Sequence, residues 1–231
     1  MTQEMVPGIG TNVRIPYNQE LMPYHEEVAR LVCENTPNKG IVLDVGCGVG
    51  HTLIECQRRN PSLKLVAADI DPACLAITQK RVELHQALQV TPTLDELLSM
   101  DLKVDTVIMS HVLEHMHRPL DTLLGIMGLC RPDGIAVLAV PNPVRLQVFV
   151  GNIFRWHYVN RGHVYAWDRS HWMNFLENIA NLNVVCYSQD FFPLPLRARF
   201  GVIRLLERRL ASVLPWLAFS NIAVVRKQGG R

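Results

Sequence analysis

The chain has 231 residues, 48% of them apolar and 19% charged, with a formal net charge of +2 at pH 7. That length and apolar fraction suffice to bury one full core, which excludes a disordered chain. Balanced charge excludes the basic footprint of a dedicated nucleic-acid binder, and no run reaches the ~18 consecutive apolar residues of a membrane span.

The opening "MTQEMVPGIGTNVRIPYNQE" lacks the basic start and apolar run of a secretion signal. Six cysteines, Cys33, Cys47, Cys56, Cys74, Cys130 and Cys186, are scattered without a C-x-x-C. This predicts reduced thiols in a cytoplasmic setting and no thiolate zinc site.

"PYHEEVARLVCEN" spaces Val28, Leu31 and Val32 at helical intervals, and Asn35 and Pro37 stop that helix. "GIVLDVGCGVG" is an apolar run closing on glycines, a buried strand feeding a tight loop. "HTLIECQRRN" predicts a helix, "LKLVAADI" a second strand, and "PACLAITQKRVEL" a helix with Pro72 in its first turn. The alternation continues through "LQVT", "VDTVIMS", the helix "PLDTLLGIMGLC", the turn "RPDG" and the strand "IAVLAVP". From Pro143 to about Ser220 it loosens, leaving a helix at "RSHWMNFLENIAN" and a strand at "NVVCYSQDF" before the closing strand "SNIAVVRK". One domain is expected over 1–231: a cofactor-binding scaffold at 1–142, substrate-side segments and a lid at 143–220, and a closing strand at 221–227.

Alternating strands and helices with continuously apolar strands predict a parallel sheet covered on both faces, with ligands beyond the carboxyl ends of the strands. Gly46, Gly48 and Gly50 let backbone pass close to a ligand. Their G-x-G-x-G spacing departs from the dinucleotide G-x-G-x-x-G, with His51 where the last glycine would stand. Asp69 ends the second strand, where a carboxylate can accept both hydroxyls of a ribose. Together with Asp44 before the loop, these residues predict a nucleoside-like cofactor.

"VLDVGCGVG", "VAADIDP", "VDTVIMSHVLEHMHRP" and "LCRPDGIAVLAVPNP" resemble, in order, the successive motifs of class I S-adenosylmethionine-dependent methyltransferases, particularly the ubiquinone-type O-methyltransferases. The resemblance covers about residues 40 to 143. It implies an α/β, Rossmann-like three-layer sandwich with a seven-stranded, mostly parallel sheet whose last strand, "SNIAVVRK", is antiparallel. It implies S-adenosylmethionine as cofactor, with the backbone of Gly46, Cys47 and Gly48 on its methionine part and Asp44 facing its amino group. Asp69 would hold the ribose and Ile70 would lie against adenine. Ser110 and His111 would stand beside the methyl group. The acidic residue that the family often carries after its third strand is not evident, and Thr93, Leu94 or Asp95 takes its place.

"HVLEH" also fits the H-x-x-E-H pattern of a zinc peptidase, with His111 and His115 as ligands and Glu114 as base. That chemistry needs both histidines on one face of a long helix, whereas Pro119 follows His115 by four residues. The motif is therefore read as the end of the fourth strand, with no metal expected. His111 is then either a base for an acceptor that must lose a proton or a hydrogen-bonding wall of the pocket. Glu114 and His115 are assigned to structure, capping the next turn or pairing with neighbours.

"NIFRWHYVNRGHVYAWD" crowds Arg155, His157, Tyr158, His163, Tyr165 and Trp167 into a short stretch that suits a ring, sugar or polar-lipid acceptor. "GHVYAWD" resembles the stretch after the fifth strand in the family, which makes His163 and Tyr165 the substrate candidates. Over 200–217, Ile203, Leu206, Leu210, Val213, Leu214 and Leu217 share one helical face, with Arg204, Arg208 and Ser212 opposite. Such a helix is expected to cover the active site, with a dimer contact or an anionic membrane surface as alternatives. The sequence thus predicts methyl transfer to a small-molecule acceptor, most simply an oxygen. A catalytically idle cofactor-binding or partner-binding module of the same fold is the alternative.

Overall fold

Alternate residues of the central strands are apolar on both sides, so each strand has to be covered twice. In β1 (Ile41–Val45), Leu43 and Val45 enter one core and Val42 the other. In β4 (Val104–Ser110), Val107 and Met109 enter the first and Ile108 the second. The computed structural model describes residues 21–154, 162–193 and 201–229.

Helices α1 (Pro23–Asn35), α2 (His51–Arg59) and α3 (Pro72–Arg81) cover one face through Val28, Val32, Leu53, Cys56 and Leu75. Helices α4 (Asp95–Ser99), α5 (Pro119–Leu129) and α7 (Arg169–Asn174) cover the other through Leu97, Leu123, Ile126 and Trp172. Each such fully buried aliphatic side chain contributes about 1.5–3 kcal/mol over leaving it exposed. Between the layers run β2 (Lys64–Asp69), β3 (Gln86–Gln89), β5 (Cys130–Pro141), β6 (Leu182–Gln189) and β7 (Ser220–Lys227), in the order β3-β2-β1-β4-β5-β7-β6. Strand β7 is antiparallel to both β5 and β6, and the other paired strands are parallel. The expected seven-stranded, mostly parallel sheet is therefore present, with "SNIAVVRK" as its reversed strand.

Some local expectations shift. β3 lies two residues ahead of "LQVT", because it is an edge strand whose four residues are all exposed or half-buried and carry no apolar run. "RPDG" is absorbed into β5 as an irregularity, with a break in register opposite Val104 to Thr106. The helix begun by α7 continues through a π-helical turn at Phe175–Ile179. Helix α6 (Leu146–Ile153) was not expected.

Helix α8 (Gly201–Val213) forms where an amphipathic helix was expected, but among its described side chains Glu207 and Ala211 are the buried ones, while Leu206 and Val213 are 49% and 69% exposed. The side chains of Ile203, Arg204 and Arg208, and the whole of Arg155, His157 and Tyr158, lie outside the described residues. Among the described residues, no helix is long and apolar enough to cross a membrane.

Candidate active site

Three glycines turn the chain out of β1. Gly46, Gly48 and Gly50 have φ of 77°, 53° and 81°, the left-handed region that L side chains avoid. A Cβ on Gly46 would lie 2.5 Å from Val112 Cγ2, so the loop packs directly beneath the segment leaving β4. Asp69, 3% exposed, ties the loop to β2: its Oδ2 accepts from Gly48 N at 2.7 Å and its Oδ1 from Asp71 N at 2.9 Å. Asp71 in turn caps α3 by accepting from Ala73 N. Burial raises the Asp69 carboxyl above its ordinary range, opposed by these backbone donors. Each oxygen keeps a lone pair for a further donor such as a ribose hydroxyl.

Asp44, also 3% exposed, is pushed up to about 8 by burial and by Asp69 beside it. Cys47 is buried, and its thiol is pushed up by that burial, so it is no nucleophile. Ile70 stands half exposed beside Asp69. Leu94 is 2% exposed and belongs to the core, whereas Thr93 and Asp95 are exposed and bonded to each other at 2.7 Å. The side chain of Leu94 is thereby removed from the three candidates for the adenine amino group.

The end of β4 is as tightly arranged. His111 has φ 57°, donates its backbone N–H to Ala139 O at 2.8 Å, and sets Nε2 3.0 Å from Ser220 Oγ. The Tyr24 ring lies 4.5 Å from the His111 ring, and Phe219 5.9 Å from it, with the Arg145 guanidinium 4.4 Å from the Phe219 ring centre. Burial draws the His111 imidazole down to about 3, helped by His25 and His163. Ser110 Oγ is buried with no hydrogen-bond partner among the described residues.

A 3-10 turn at Leu113–His115 follows. Glu114 is 1% exposed, and neither carboxyl oxygen has a hydrogen-bond partner among the described residues. Burial pushes it up to about 8. Three imidazole nitrogens face its Oε1: His111 Nδ1 at 3.7 Å, His163 Nε2 at 3.8 Å and His115 Nε2 at 3.9 Å. The Glu114 carbonyl accepts from Val164 N at 2.8 Å and Tyr165 N at 3.2 Å, which fixes the 162–165 segment over the turn. His115 Nδ1 meets Gly162 O at 2.9 Å. Tyr165 donates its hydroxyl to His117 O and stacks on Trp167.

A family model described as a methyltransferase domain matches residues 17–187. The chain belongs to this class I methyltransferase domain family. A ubiquinone biosynthesis O-methyltransferase from Rickettsia bellii is 28% identical over 115 residues, 48% of this chain and 46% of that protein. A malonyl-[acyl-carrier protein] O-methyltransferase from Halalkalibacterium halodurans is 22% identical over 106 residues, 44% of this chain and 39% of that protein. The chain thus matches less than half the length of these relatives. Among solved structures, magnesium protoporphyrin IX methyltransferase from Synechocystis with bound SAH superposes with a TM-score of 0.59 at 17% identity, over 89% of this chain and 82% of that one. At that identity the likeness shows the fold.

Within this methyltransferase domain the residues expected from sequence fall into two adjoining groups. Asp44, Gly46, Cys47, Gly48, Asp69 and Ile70 gather around the glycine loop, at the carboxyl ends of β1 and β2. Ser110 ends β4 and His111 follows it; the Glu114 carbonyl brings His163 to the Glu114 carboxyl beside them, whereas the Tyr165 side chain turns to His117 O and Trp167. Of the two structural roles expected for Glu114 and His115, the structure shows pairing with neighbours, and it widens that role, since three histidines converge on the Glu114 carboxyl. His111 loses the near-neutral pKa that made it attractive as a base, because it is buried among other basic groups. The motif also lacks the long helix of a zinc peptidase, offering one 3-10 turn instead. Sequence reasoning missed Ser220 and Tyr24, which reach His111 from the last strand and the first helix; the reversed last strand was the available signal for Ser220.

Proposed function

We propose that the chain transfers a methyl group from S-adenosylmethionine to an oxygen of a small-molecule acceptor such as a ring, sugar or lipid-like metabolite. The carrying observation is the clamp of Asp69 on Gly48 N, which fixes a loop of left-handed glycines beside two buried carboxyls. The residues fit the cofactor: the glycine loop runs through left-handed backbone beside the buried Asp44 and Asp69 carboxyls, and Ser110 Oγ is buried without a partner among the described residues.

S-adenosylmethionine supplies a methyl group on a positively charged sulfur, an electrophile that needs alignment more than activation. The N–H groups of the loop would contact its methionine part, Asp44 its ammonium, Asp69 the ribose hydroxyls and Ile70 the adenine face. Ser110 and His111 then border the methyl side. Bound there, S-adenosylmethionine would offer its methyl carbon to the acceptor oxygen, with the carbon–sulfur electron pair passing to sulfur and the acceptor proton passing to solvent water. His111, held neutral, accepts a hydrogen bond from that hydroxyl and orients it; a base of such low pKa is poorly matched to removing the proton of a weakly acidic alcohol. This favours acceptors whose hydroxyl is already acidic, such as phenols. His163 and Tyr165 would contact the acceptor.

Isothermal titration tests the reading. S-adenosylmethionine should bind and NAD should not, and Asp69→Ala should weaken binding at least tenfold. Binding of NAD in place of S-adenosylmethionine would sink it. Label transfer to a panel of phenolic, sugar and lipid-like hydroxyl compounds separates an enzyme from an idle binding module. The six free cysteines support a reducing, cytoplasmic setting. Exposure of Leu205, Leu206, Val213 and Trp216 supports peripheral contact with an anionic membrane. Co-sedimentation with anionic liposomes, lost on charging Leu206, is the expected result there.

A further inference from the structure

We propose that Glu114, His115 and His163 bind one divalent transition-metal ion of the zinc or cobalt(II) type, on the side of His111 away from Ser220. One ligand atom from each of the three residues lies within 4.8 Å of the other two. The separations from Glu114 Oε1, 3.8 Å to His163 Nε2 and 3.9 Å to His115 Nε2, are too long for hydrogen bonds. They are a little wider than the ~3.3 Å edge of a tetrahedron built on metal–ligand bonds of about 2.0–2.1 Å. An ion drawing each atom inward by a few tenths of an ångström closes that gap.

The protonation pattern is already set for it. Gly162 O can only accept, so His115 Nδ1 carries the hydrogen and leaves the lone pair of Nε2 facing Glu114. A backbone carbonyl on the far nitrogen is the usual way a metal-binding histidine is oriented. The His163 segment is fastened by Val164 N and Tyr165 N to the residue that supplies the carboxylate, so two ligands separated by 48 residues in sequence are held as one unit. Glu114 is buried with both oxygens lacking hydrogen-bond partners among the described residues, a costly state that coordination would relieve.

Two imidazoles and one carboxylate, with no thiolate, suit zinc, cobalt or iron(II) better than magnesium or calcium, which prefer all-oxygen shells. Three protein ligands leave further positions open. His111 Nδ1, 3.7 Å from the same Glu114 oxygen, stands beside one of them.

Ion binding needs no methyl donor, so its test is separate from that of methyl transfer. Chelator-treated full-length protein is titrated with zinc chloride by calorimetry and with cobalt(II) chloride by visible absorption. The expected result is one equivalent bound, with ligand-field bands and no sulfur-to-cobalt charge transfer. His163→Ala and Glu114→Gln should each lower affinity at least tenfold, while His85→Ala, at an exposed histidine elsewhere, should not. Far-UV circular dichroism and retained S-adenosylmethionine binding show that the variants are folded; if Glu114→Gln fails to fold, His163→Ala and His115→Gln carry the test. Absence of one-equivalent binding, a charge-transfer band placing the ion on cysteine, or equal affinity in folded His163→Ala would overturn the proposal.

Discussion

His111 Nε2 lies 3.0 Å from Ser220 Oγ, so the first residue of β7 holds the ring that ends β4. The backbone N–H of Ser220 is separately anchored on Asp190 Oδ1 at 3.0 Å. Ser220→Ala therefore removes the contacts of its hydroxyl with His111 and with the Asp190 carboxyl, while the backbone anchor keeps the strand in place. The expected cost is about 1 kcal/mol of stability. Methyl transfer should slow by roughly two- to tenfold through lost orientation of His111, with cofactor affinity unchanged. An unaltered rate constant under saturating cofactor would contradict an orienting role for His111.

Asp44 is raised from 3.8 to about 8 in the free protein, so at pH 7 it is mostly protonated. A cofactor ammonium beside it favours the carboxylate, so binding should expel up to one proton, and affinity should strengthen as pH rises towards 8. Calorimetry at pH 7 in two buffers of different ionisation enthalpy measures that proton, and Asp44→Asn should abolish the buffer dependence. The sign for stability is opposite. Because the folded value exceeds the unfolded one, this group's contribution is complete below about 3.8 and lost as pH rises through about 8. Asp44→Asn should therefore stabilise the free protein at pH 9 and do little at pH 4.

Gly46 combines φ 77° with a Cβ position 2.5 Å from Val112 Cγ2. Gly46→Ala meets both a left-handed backbone, costing an L residue about 1–2 kcal/mol, and a collision with a packed side chain. The loop must shift away from β4. A loss of cofactor affinity of more than tenfold is expected by titration, together with a lower Tm.

His25 on α1 accepts a hydrogen bond from Met22 N at 2.9 Å through Nδ1, and burial draws it from 6.5 to about 3. Below about 6.5 the unfolded chain takes up a proton that the folded one refuses. Stability is thus full above 6.5 and falls as pH drops towards 3, by up to about 1.4 kcal/mol per pH unit from this residue. His25→Gln keeps an acceptor for Met22 N without the titration. Urea midpoints at pH 7 and pH 5 should lie closer together in that variant.

The central strands were legible because each is an apolar run buried on both faces, ended by a glycine loop, an aspartate or a serine. β3 was misplaced and α4 missed because short edge elements bury too little to impose a pattern; Leu97 is the buried residue of α4. Around the glycine loop, Gly46, Gly48 and Asp69 carry their signal within short stretches, and the structure brings them together as that local spacing implies. Glu114 was undervalued for the opposite reason. Its partners include His163, brought back by backbone hydrogen bonds to the Glu114 carbonyl, and no local motif records that return. "HVLEH" is not a self-contained helical motif: it forms one 3-10 turn, and its glutamate meets His163 from another segment.

β7 lies between β5 and β6, so the strand that carries Ser220 comes late in the chain but sits inside the sheet. During synthesis β1 to β5 can pair, with the glycine loop and Asp69 among them, before residue 220 has been made. His111 gains its partner only when the reversed strand slots in beside β5. A chain lacking Ser220 would keep the glycine loop and its Asp69 clamp but lose the contact that aims the histidine, so the two halves of the candidate site depend on different parts of the sheet.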